Sequence, residues 1–109
     1  MIAKILLLAF LSFNYILAFE PEAECTILED ENSIVCKFTT PAQNIDQTFT
    51  IMWINPLNEI DRQRDITIPA HNVSIYDFRY LDGRESGRWK FSVFKNDKKI
   101  AETAFSLDK

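Results

Sequence analysis

Glycine is almost absent: the 109 residues include only Gly83 and Gly87, together with one histidine and two cysteines. Each scarcity excludes a kind of chemistry. Loops that cradle phosphate are glycine-rich because the backbone must approach the oxygens closely, and two glycines do not build one. Hydrolytic nucleophiles need a base within reach of a serine or cysteine, yet His71 is the sole imidazole and sits in the loop-like Pro69-Ala70-His71-Asn72. Zinc and copper sites draw on several imidazole or thiolate ligands, more than this chain offers. Paired carboxylates such as Asp30 with Glu31, or Asp61 with Asp65, fall on opposite strand faces or on exposed tips, with no burial to prepare them for proton transfer. The expectation is no catalytic residue, no metal and no cofactor.

Long apolar runs are also missing, except at the start. Lys4 precedes Ile5-Leu6-Leu7-Leu8-Ala9-Phe10-Leu11, and Ile16-Leu17-Ala18 follows. Charge, apolar core and small-residue end make residues 1–18 a candidate signal peptide cleaved after Ala18. Asn14 and Tyr15 interrupt a run that would need about 20 apolar residues to span a membrane. A lipid anchor would need small residues before a cysteine, whereas Cys25 follows Glu22-Ala23-Glu24. Residues 19–109 are then expected to be one secreted or periplasmic domain with no stable membrane anchor after cleavage.

A domain of roughly 90 residues is marginal on core burial alone and calls for a staple. In an oxidising compartment Cys25 and Cys36 are a candidate disulfide, with a closing loop of about a dozen residues that stabilises by roughly 3 kcal/mol through unfolded-state entropy. The formal net charge is −4. Together with the compartment, that sign disfavours nucleic acid as a partner. Acidic residues crowd the beginning (Glu20, Glu22, Glu24, Glu29, Asp30, Glu31), and basic ones the last third. Solvated surface accounts for both ends.

After Ala23 nearly every segment alternates with period two and is rich in β-branched and aromatic residues. Strands are predicted at 25–29, 33–39, 48–54, 60–68, 73–81, 88–95 and 98–107, separated by turn-forming Asn, Asp, Gly and Pro clusters. A two-residue Asp30-Glu31 tip would place Ile27 opposite Ile34 and Cys25 opposite Cys36. At the last hairpin, an Asn96-Asp97 turn faces Val93 with Ile100 but sets Phe91 against Glu102, which predicts a bulge or a longer loop. Asn72-Val73-Ser74 matches a glycosylation sequon.

Three segments resemble the immunoglobulin family. Ser33-Ile34-Val35-Cys36-Lys37-Phe38 is similar to its second strand, Phe49-Thr50-Ile51-Met52-Trp53 to its third strand with a buried tryptophan, and Glu85-Ser86-Gly87-Arg88-Trp89-Lys90-Phe91 to the approach to its sixth. Phe91 stands where the family's second cysteine would be, so its inter-sheet bridge cannot form. The resemblance implies an all-β, immunoglobulin-like antiparallel β-sandwich of about seven strands, with Trp53, Trp89 and Phe91 in the core and recognition through loops or sheet faces.

The strand at 60–68 is unusual, because the face carrying Ile60, Ile66 and Ile68 also carries Arg62 and Arg64. They either guard an edge strand or receive an anionic group from a partner. Candidate contact residues are Arg62, Arg64, Tyr76, Phe78, Tyr80 and Phe94, although Tyr76, Phe78 and Tyr80 share a strand face that could equally be core. The functional expectation is a non-catalytic domain acting by protein contact, in a structural, adhesion or envelope-assembly role. The alternatives are an inhibitor of a secreted hydrolase, using loops 55–58 or 82–86, and a carbohydrate-binding module with exposed tryptophans.

Overall fold

A computed structural model describes residues 20–108. The proposed signal peptide therefore lies outside the described residues. Seven strands follow one another: β1 (Glu22–Leu28), β2 (Ser33–Thr39), β3 (Gln47–Ile54), β4 (Ile60–Ile68), β5 (Ser74–Tyr80), β6 (Gly87–Lys95) and β7 (Lys98–Leu107). They form two antiparallel sheets, of order β1-β2-β5 and β4-β3-β6-β7. Among the described residues no helix is long and apolar enough to cross a membrane.

Alternation makes the core. Ile34, Cys36 and Phe38 of β2 face Phe49, Ile51 and Trp53 of β3, with Ile66, Ile68, Trp89, Phe91, Val93, Phe105 and Leu107 completing the layer between the sheets. Trp53 meets Phe91 edge-on at 5.4 Å and Phe105 at 6.0 Å, the edge-to-face geometry that ring quadrupoles favour. Trp89 is 2% exposed and donates its indole N–H to the Glu85 carbonyl at 2.8 Å. Along one side of the sandwich β1 lies beside β7. On the other, the edge strands β4 and β5 meet only through side chains.

The first hairpin has the predicted register but a different tip. Cys25 pairs with Cys36 and Ile27 with Ile34, and the cysteines are bonded at a Cα separation of 4.1 Å. The tip is a 3-10 turn at Glu29–Glu31, closed by Asn32 in the left-handed region (φ 52°), whose N–H donates to the Glu29 carbonyl. A two-residue turn would need positive φ at Asp30 and Glu31, and Asn32 tolerates that conformation better.

At the last hairpin the predicted bulge is present. Asn96 and Asp97 both have positive φ, as a tight primed turn requires, and the register slips between Phe94–Lys99 and Val93–Ala101. The slip leaves Ile100 unpaired, turns Glu102 outward opposite Ser92, and sets Thr103 against Phe91.

An aromatic row beside an arginine-lined recess

β5 has two faces of opposite character. Inward it carries Ile75, Asp77 and Arg79, and outward Tyr76, Phe78 and Tyr80, which are 61%, 54% and 62% exposed. The outward row is continued on β2, where Lys37 pairs with Tyr76, Val35 with Phe78 and Ser33 with Tyr80. Phe78 and Tyr80 meet edge-on at 6.0 Å, and the Lys37 ammonium lies 5.7 Å from the Tyr76 ring centre. Three large rings thus stand in water on one sheet face.

Asp77 is buried and accepts three groups from the opposite sheet. The Trp53 indole donates to Oδ2 at 2.8 Å, Arg64 donates to Oδ1 at 3.2 Å, and Arg62 stands 3.6 Å from the same oxygen. Arg62 and Arg64 lie on the edge strand β4. They join the two sheets across the side where no strands pair. A second cluster sits beside this one, with Asp61 receiving Arg79 at 3.1 Å and Arg84 at 3.0 Å. The Arg79 guanidinium also lies 5.7 Å from the Trp53 ring centre. Burial first, and then the Arg84 charge, lower its pKa against the opposing pull of Asp61, though an arginine stays charged at any physiological pH.

The two clusters border a recess of about 230 Å³ lined by Arg62, Arg64, Asp77, Phe78, Arg79, Tyr80 and Arg84. Five of the six sequence-level contact candidates therefore lie on one side of the molecule. Phe94 is the exception: half-buried on the outer face of the four-stranded sheet, it pairs with Thr50 beside Met52 and Gln63. Asp77, Arg79 and Arg84 were not singled out in the sequence, and Asp61 was weighed only as half of a carboxylate pair with Asp65. Alternation gave no warning of them, because charged residues interleaved with aromatics are also what a strand with an apolar core face and a polar outer face shows.

The other candidate features lie elsewhere. His71 and Asn72 are exposed, and His71 adopts φ 71° with its backbone N–H donating to the Gln43 carbonyl. Asp65 accepts the Thr50 hydroxyl, while Asp30 and Glu31 lie along a shallow hollow at the first hairpin tip. Loop 55–58 is occupied with itself, the Asn55 carboxamide oxygen accepting the N–H groups of Leu57 and Glu59. Trp53 is fully buried, so neither it nor Trp89 offers the exposed indole platform a sugar would stack on.

Two face-packed antiparallel sheets, a tryptophan buried on the third strand, and a fourth strand that joins the third rather than the fifth define an immunoglobulin-like β-sandwich. No protein-family model matches the chain, nor does any curated protein. Solved structures do resemble it. Two structures of a β-glucosidase from Kluyveromyces marxianus, one selenomethionine-labelled and one in complex with glucose, align with TM-scores of 0.50 and 0.51 at 10% identity. The alignment takes in 83% of this chain but only 14% of the glucosidase, so the likeness is to one part of that enzyme. An immunoglobulin-like protein from Pseudomonas aeruginosa aligns with a TM-score of 0.49 at 12% identity, over 79% of this chain and 91% of that one. At such identities the likeness is one of fold.

Proposed function

We propose that the chain is an exported, non-catalytic binding domain that docks a protein partner on the outer face of its three-stranded sheet. The observation that carries this reading is the row Tyr76, Phe78 and Tyr80, each more than half exposed on a single strand. Tyrosine and phenylalanine are enriched at interface cores, where a rigid ring gives large contact area at low entropic cost. Contiguous rings left in water on a small domain mark an interaction surface. Export is supported by the leading apolar run and by the Cys25–Cys36 disulfide, a bond that persists in oxidising compartments.

A photo-crosslinking amino acid at position 78 tests the surface, with the same group at position 94 on the other sheet as control. Crosslinks at 78 that are lost in Tyr76→Ser/Tyr80→Ser support the reading. Equal yields at 78 and 94, or insensitivity to the double substitution, would remove it. Export is tested separately by intact mass, which should begin at Phe19 in protein recovered outside the cytoplasm.

A further inference from the structure

Four guanidiniums converge on the recess between β4 and β5, and the carboxylates paired with them are two, Asp61 and Asp77. Asp77 holds Arg62 and Arg64, while Asp61 alone is shared by Arg79 and Arg84. Positive charge is therefore in excess by one at each pair. The side chains of Arg79 and Arg84 are mostly buried, at 14% and 22% exposure. Arg79 Nη1 and Arg84 Nε are buried nitrogens with no hydrogen-bond partner among the described residues. Buried donors of this kind are rare, because a polar group taken from water without an acceptor costs about 1–3 kcal/mol, and more when charged.

We propose that the recess is a binding site for a single oxyanion group, toward which Arg79 and Arg84 turn their unpartnered N–H groups on binding, supplied by an acidic side chain of the partner that docks on the neighbouring aromatic row. Arginine suits the task, since its planar fork matches the two oxygens of a carboxylate or phosphate. The volume of about 230 Å³ compares with roughly 30 Å³ for one water, so a carboxylate or phosphate fits with room for its hydration. Phe78 and Tyr80 border the same recess, so a segment lying on the aromatic row would bring an acidic side chain to the arginines without leaving the surface.

The source named here rests on the aromatic-row reading; the oxyanion site itself does not. Arg84→Gln leaves Tyr76, Phe78 and Tyr80 in place, so loss of anion binding and loss of crosslinking at 78 are separate failures. The test is a titration followed by the side-chain Nε–Hε resonances of the arginines, at constant ionic strength set with chloride. One arm uses inorganic phosphate and the other a short peptide with two glutamates beside a tyrosine. Saturable shifts at Arg79 and Arg84 are expected in both arms, with the peptide saturating at the lower concentration. Arg84→Gln should weaken binding at least tenfold, Arg84→Lys should weaken it less, and Arg88→Gln, which removes the same charge from an exposed position on β6, should leave it unchanged. The dispersed amide spectrum of each variant reports that it has folded. Phosphate saturation without peptide binding would overturn the protein source and leave a small-anion site. Shifts no larger than chloride produces, or full affinity in Arg84→Gln, would overturn the site.

Discussion

With only two glycines, the chain gives most of its left-handed turn positions to other residues: Asn32, Asn58, His71, Asn96 and Asp97 all have positive φ. Short polar side chains tolerate that region at modest cost. Gly87 is a position where glycine itself is required. Its φ is 126°, and a Cβ there would lie 2.9 Å from the Pro56 Cβ. Gly87→Ala should therefore destabilise by about 1–3 kcal/mol, through backbone strain and a clash with a ring that cannot turn aside. Urea unfolding measures it, and an unchanged midpoint would mean that neither the backbone strain at φ 126° nor the clash with Pro56 is present. Asp77 is the second sensitive residue. Asp77→Ala leaves the buried Trp53 N–H without an acceptor, whereas Arg62 and Arg64, at 34% and 48% exposure, can turn to water. The loss should be about 2–3 kcal/mol, set mainly by the orphaned indole rather than by the ion pairs. A loss below about 1 kcal/mol would place the indole within reach of water.

At the scale of elements, the β6–β7 pair shows what its bulge accomplishes. By turning Glu102 outward the bulge sets it opposite Ser92, whose hydroxyl donates to it at 2.6 Å, with the Lys99 ammonium 3.1 Å away. The Ser92 hydrogen bond first, then burial in opposition, then Lys99, hold the Glu102 carboxyl below its ordinary value. A depressed carboxylate contributes stability that is present above its unfolded pKa and lost as pH falls through the folded one. Glu102→Gln should therefore be less stable than wild type near neutrality, and the gap should close below the ordinary glutamate range, near pH 4.5. A gap independent of pH would show that the carboxylate charge plays no part. Strands at 33–39, 60–68 and 98–107 were legible to the residue from alternation, β-branched and aromatic content and the turn residues that bound them. β1 begins at Glu22, three residues before its predicted start, because acidic Glu22 and Glu24 face outward and a small Ala23 inward, a pattern too weak to read as a strand. The tip of the first hairpin was misread because its αL residue, Asn32, lay just outside the two residues assumed. Which face of β5 was core could not be read at all, since Asp77 and Arg79 are buried only by partners distant in sequence, Trp53, Arg62, Arg64 and Asp61.

For the whole molecule, the sandwich is closed by proximity on the β1–β7 side and by charge on the β4–β5 side. β4 ends its sheet, and among the described residues no strand pairs with its free edge. An exposed edge is a template for another chain, and inward-pointing charge is one way a protein prevents that addition. Arg62 and Arg64 supply this charge, and Asp77 holds it toward the space between the sheets. The two roles weighed from the sequence, guarding the edge and receiving an anion, thus fall to different residues: Arg62 and Arg64 are already held by Asp77, while Arg79 and Arg84 have nitrogens to spare. Arg62→Ser/Arg64→Ser should still fold, because both side chains are a third to a half exposed and such pairs contribute little to stability. Its edge should now accept a strand, so sedimentation should show self-association that rises with concentration and is absent from Arg62→Lys/Arg64→Lys, which keeps the charge. High salt should not reproduce the effect in wild type, since screening over about 8–10 Å leaves the guanidiniums physically in the way. A double serine variant that stayed monomeric at high concentration would show that something other than these arginines protects β4.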